Sequence, residues 1–105
     1  MSRQFLDDNG YPVSRVFQLG AAQVISNPTV STQTTAFGAT TTVIRVSTTG
    51  DHVHIAIGDN PTATTSGAML PSNVVEFFAV KPGWKLAAIK GSGAGSPIVS
   101  ISEMI

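Results

Sequence analysis

The apolar residues of this chain fall in short, β-branched blocks separated by Gly, Pro and Asn, and no helical period runs for a useful length. A 3.6-residue repeat is what a packed helix needs, so this pattern asks for strands. Candidate strands run from Val13 to Leu19, Ala22 to Ser26, Thr41 to Thr48, His52 to Ile57, Val74 to Val80, Trp84 to Ile89 and Pro97 to Glu103. About seven short strands at this spacing predict an all-β fold, either an antiparallel β-sandwich or a jelly-roll-like small barrel. The 105 residues fit one sandwich domain over 1–105, with residues 1–12 read as an N-terminal arm. A chain of this size buries roughly two-thirds of the surface its unfolded form exposes, enough for a core without staples.

Turn chemistry suggests pairings. "TTGD" at Thr48 to Asp51 places Gly50 where a positive φ is easy, and reads as a hairpin between its flanking strands. "KPGW" at Lys81 to Trp84 has the Pro and Gly positions of a type II turn. With "GSGAGSP" at Gly91 to Pro97 as a loop, Val74 to Glu103 reads as a three-stranded meander. "DNG" at Asp8 to Gly10 marks a further turn. Asn27 to Thr40 is a long polar link with one aromatic, Phe37, able to reach about 45 Å if extended. It is either a surface loop between sheets or an arm laid on a neighbouring subunit.

In "VVEFFAV", Val75, Phe77 and Ala79 point one way and Val74, Glu76, Phe78 and Val80 the other. A strand with one wet face should alternate more cleanly, so the Glu76 face is expected to be covered. Arg45 in "TVIRVS" is the expected cross-strand partner of Glu76, a pair worth about 0.2–1 kcal/mol if partly exposed.

Only 11% of residues are charged, against roughly 25% in an average soluble domain. Ser and Thr supply 23 residues, and the six basic and six acidic residues cancel. No basic stripe for nucleic acid or an anionic membrane surface is expected. No apolar run is long enough to span a bilayer, and "MSRQFLDDNGYPVSR" lacks the apolar stretch of a secretion signal. With no cysteine, disulfides and thiolate metal sites are excluded. A neutral, hydroxyl-rich surface carries little desolvation cost when it is covered, which favours assembly with other protein over a plain monomer.

Catalytic signals are weak. In "DHVH", His52 and His54 would project from one strand face about 7 Å apart, but two histidines with no nearby third ligand make a poor zinc site. "GSGAGS" at Gly91 to Ser96 precedes a strand, not the helix that would hold a pyrophosphate. No G-x-S-x-G elbow activates a serine, and Asp7, Asp8, Asp51, Asp59, Glu76 and Glu103 are scattered. Trp84, Phe77, Phe78 and Tyr11 could stack against sugar, although Trp84 beside its Pro-Gly turn reads better as closing the core. Neither an enzyme activity nor a cofactor is expected.

The second part of the chain carries a run of features: the arginine strand "VIRVS", then "GDNPTAT", "LP", "VEFF", "PGWKLAAI" and a last strand ending in "SEM". This run, with "GYPVSRVFQLGAA" near the start, resembles small virion proteins of tailed bacteriophages, and is similar to head decoration, or cement, proteins. The resemblance implies a structural role without catalysis, on the phage head surface, with the major capsid protein and copies of itself, such as a trimer, as partners. The connection from Gly58 to Asn73 would then be a contact loop. Asn60 and Pro61 would fix its start, Met69 and Leu70 would serve as apolar anchors, and Pro71 would fix its end, with Phe37 and Trp84 as further interface candidates. The alternatives are a loop that packs on its own chain and, for function, a carbohydrate-binding module of a tail fibre.

Overall fold

A computed structural model describes residues 18–104. They form eight strands: β1 (Leu19–Ser26), β2 (Thr32–Gln33), β3 (Val43–Thr49), β4 (Val53–Gly58), β5 (Ala68–Leu70), β6 (Val75–Ala79), β7 (Lys85–Lys90) and β8 (Ile98–Met104). The block at 13–17, the turn at 8–10 and the arm at 1–12 lie outside the described residues.

Two antiparallel four-stranded sheets result, β1-β8-β3-β6 and β2-β7-β4-β5. The pairs β1·β8, β2·β7, β3·β6 and β4·β5 nest inward from the chain ends. Contacts β8·β3 and β7·β4 complete the sheets. This is one long hairpin folded over on itself, the jelly-roll form of the β-sandwich.

That topology corrects two sequence expectations. The Thr48–Asp51 turn is not a hairpin, because β3 and β4 belong to different sheets. Nor is 74–103 a meander, since β6 and β8 lie in one sheet and β7 in the other. Only β4 and β5 are both consecutive and in one sheet. The turn chemistry itself holds. Gly83 has φ +82, and the Trp84 N–H donates to the Lys81 carbonyl at 3.1 Å, as a type II turn requires. A positive-φ glycine reverses the chain equally well within a sheet or between two, so local chemistry does not say which sheet receives the next strand.

Residue alternation decides what each sheet buries. In β3, Ile44, Val46 and Thr48 are buried while Arg45 and Ser47 are half-buried on the other side. The first sheet contributes Ile25, Ile44, Val46, Val99 and Ile101 to the core, and the second Val53, Ile55, Leu70, Leu86 and Ala88. Phe37 and Val80 join from the connections, and Val74, Phe78 and Trp84 pack against them. Each fully buried Ile, Leu or Val contributes about 1.5–3 kcal/mol by removal from water. The Glu76 side of β6 reaches this core through Phe78 and Val80, but Glu76 itself, on the edge strand, is exposed, so the expected cover is only partial.

The Arg45–Glu76 pair does not form. Arg45 stands opposite Phe77, and Glu76 opposite Val46. A register offset of one residue puts the two charges on opposite faces.

Polar groups tie the connections down. Buried Glu103 at the end of β8 accepts the Gly38 N–H at 2.9 Å and the Thr41 hydroxyl. Thr48 fastens the β5–β6 crossing: its N–H donates to the Val74 carbonyl, its carbonyl accepts from Asn73, and its hydroxyl donates to the Pro71 carbonyl.

Gly50 combines φ +90 with a close approach, since a Cβ there would lie 2.8 Å from the Ser96 carbonyl oxygen. At Gly83 (φ +82) nothing stands within 4 Å of such a Cβ. Gly83→Ala should therefore cost only the left-handed backbone term, about 1–2 kcal/mol. Gly50→Ala should cost clearly more, because backbone must also move. Urea unfolding of both variants checks the order.

Candidate functional site

Three places hold the side chains that sequence reasoning singled out. The first is the turn into β4. The Asp51 carboxylate accepts the His52 N–H through Oδ1 at 2.8 Å and the Gly95 N–H through Oδ2 at 2.7 Å. The same Oδ1 lies 2.8 Å from His52 Nδ1. These bonds, the Gly95 N–H foremost, then the His52 N–H and imidazole, hold the Asp51 carboxyl down to about 2. His54 Nδ1 lies 3.0 Å from the Gly67 carbonyl and must donate there. The His52 and His54 rings meet edge-on, centroids 6.0 Å apart. A Cβ on Gly91 would sit 1.9 Å from His52 Nε2, so the ring rests directly on that glycine. The arrangement clips the β3–β4 connection to the 91–96 loop.

The second place is the connection from Gly58 to Asn73. It is the β4–β5 loop, followed by short β5 and the crossing to β6. The loop is fastened to its own chain. The Gln33 amide donates to the Asn60 side chain at 2.9 Å and to the Pro61 carbonyl at 2.7 Å. The Ala63 N–H donates to Ser31 Oγ at 2.9 Å. Pro61 and Ala63 are buried, while Asn60 and Pro71 are exposed. Leu70 is in the core and Met69 points out, 55% exposed, in register with His54 on the outside of the second sheet. A polar residue at 70 would thus disturb the fold whatever the loop touches. Phe37 is buried, and half-buried Trp84 packs on the core with the Lys81 ammonium 5.6 Å from its ring centroid.

The third place is the outer face of the first sheet. Register sets its rows across the strands: Ser26, Ile98 and Thr49; Val24, Ser100, Ser47 and Val75; Ala22, Ser102, Arg45 and Phe77; Leu19, Met104, Val43 and Ala79. Of the seven large hydrophobic residues exposed among the described ones, five lie here: Leu19, Val24, Val75, Phe77 and Ile98. Scattered single apolar residues need no explanation, whereas five on one sheet face form a concentration that the core does not account for. Ser102 and Met104 on central β8 are buried, so the open apolar groups sit mainly on edge strands β1 and β6. Sequence reasoning noticed that both faces of "VEFFAV" are apolar but did not single out Val24 or Ile98. The signal was there: Val24-Ile25 and Ile98-Val99 are adjacent apolar pairs, which on a strand must face both ways.

No protein-family model and no curated protein matches this chain. Among solved structures it is similar to FeII HppE, with TM-score 0.54, 15% identity, and 97% of this chain and 64% of that one covered. It is also similar to hydroxypropylphosphonic acid epoxidase from S. wedmorenis in complex with fosfomycin, with TM-score 0.54, 14% identity, and 96% and 62% covered. CoII HppE in complex with Tris buffer gives TM-score 0.51, 18% identity, and 97% and 61% covered. The chain thus spans about three-fifths of the length of these proteins. At such identity the likeness is one of fold, and a fold does not carry a reaction with it. Two of these are FeII and CoII forms. Here no three His, Asp or Glu side chains among the described residues group to hold a metal ion. His52 and His54 lie outside the core with both Nδ1 atoms engaged, so the described residues do not fit such a centre.

Because its folded pKa is depressed, Asp51 contributes stability that is fully present above its ordinary value of 3.8 and is lost as pH falls toward about 2. Asp51→Asn should therefore melt below the wild type near neutrality, and the gap should close between about pH 4 and pH 2. A gap in Tm that does not change over that range would contradict the assignment.

Proposed function

We propose that this chain is a non-catalytic structural protein that docks the outer face of its first sheet on other protein, as a decoration protein of a tailed-phage head docks on the major capsid protein. One observation carries the docking role: five exposed apolar side chains share one sheet face. The sequence resemblance in the run from "VIRVS" to "SEM" supplies the virion setting. Low charge supports the same reading, since a face with one charged group is cheap to desolvate. The described ionisable groups that make close contacts serve the fold. Asp51 and His52 clip a turn, and Glu103 holds Gly38 and Thr41. Repetition over a lattice would multiply a modest contact through avidity.

The test is occupancy of assembled particles. Val24→Asp and Phe77→Asp, each on the open face, should change folding stability by about 0.5 kcal/mol or less yet lower occupancy about tenfold or more. Circular dichroism should match the wild type. Occupancy at wild-type level in both variants would overturn the docking role.

A further inference from the structure

Among the described residues the outer face of the first sheet holds a single charged side chain. Arg45 stands inside the sheet on β3, between Ser102 of β8 and Phe77 of β6. Among the described residues no carboxylate shares that face. Glu76 is opposite Val46, and Glu103 opposite Ile44, both in rows that point the other way. Among the described residues the sole ion pair joins His52 to Asp51, so Arg45 has no carboxylate partner among them.

We infer that this face receives a different protein, one that presents a carboxylate set among apolar groups, with Arg45 binding the carboxylate and Phe77 packing beside it. The inference rests on the docking role proposed above and names the chemistry of its partner. Covering a guanidinium with purely apolar groups would leave a desolvated charge without compensation. A carboxylate matches the fork of the guanidinium with two parallel hydrogen bonds. Phe77 is 54% exposed and directly cross-strand from Arg45. Arginine and large aromatics are the residue types that dominate interface energetics, most strongly when surrounding contacts exclude water. The open apolar residues Val24, Val75 and Leu19 lie in the rows on either side and would supply that exclusion. A second copy docked face to face does not satisfy the site. The described residues of neither face would offer a carboxylate, and a two-fold axis near the middle would bring two guanidinium groups toward each other, which is unfavourable.

The experiment uses the full chain on assembled particles. Arg45→Lys places an amine at position 45, and a zero-length carbodiimide then joins it to any carboxylate in contact. Mass spectrometry should find position 45 linked to an Asp or Glu of a different protein. Arg45→Glu should lower occupancy about tenfold or more. Linkage to Asp7 or Asp8 of the same chain, or to any carboxylate of another copy, would overturn the inference. So would particles that carry the Arg45→Lys chain with no linkage at 45, or wild-type occupancy by Arg45→Glu. If Arg45→Glu binds normally while Val24→Asp and Phe77→Asp do not, only the carboxylate partner is lost. If all three bind normally, the docking role falls as well.

Discussion

The fold is closed by the pairing of β1 with β8, which brings Leu19 beside Met104. The strands nest inward from that pair, so each sheet contains segments from both halves of the described chain. Contacts of such long range must overcome loop-closure entropy before they stabilise anything. What repays it is the apolar layer between the sheets, with Ile44, Val46 and Ile101 on one side and Val53, Leu70 and Leu86 on the other. Nearly every connection then has to cross between sheets, and the polar fastenings at Asp51, Thr48 and Glu103 sit at those crossings or on the connections beside them.

A filled interior has a consequence for chemistry. Most inward positions are taken by apolar side chains, and among the described ionisable groups only Glu103 is buried, where it accepts from Gly38 and Thr41. The His52–Asp51 pair lies against Gly91 and Gly95 as a joint between two loops. The similar solved structures include FeII and CoII forms of HppE, but likeness of strand layout says nothing about which side chains line the layout. Here the outer face of the first sheet is the surface whose composition the fold itself does not require. Phe77, Val24 and Ile98 lie outside the core, so core packing does not account for their apolar character.

Much of this was legible in the sequence. Short β-branched blocks gave the strand positions from Ala22 onward to within a few residues, because period-2 burial is a local property. Turn glycines at 50 and 83 were likewise readable from Gly and Pro alone. The partner of each strand was not, since pairing is set by the whole folded-over layout and not by the turn between neighbours. Hence "TTGD" looks like a hairpin and is a crossing. Strands β2 and β5, of two and three residues, hide in polar stretches because so short a segment has no period to detect. The Arg45–Glu76 expectation failed by one residue of register, a quantity that sequence spacing does not contain. For the candidate site, the low charge gave the expectation of a surface covered by other protein, which the proposed function carries forward. The loop anchors Met69 and Leu70 look alike in sequence, yet one points outward and the other is core, and only the pairing of β5 with β4 separates them.

The most direct measurement is an image of an assembled particle at residue resolution that shows this chain in place. If the outer face of the first sheet is the contact surface, Val24, Val75 and Phe77 will be closed off by another protein and Arg45 will meet a carboxylate there. The same face open to solvent, with the chain held by other surfaces or missing from the particle, would contradict it.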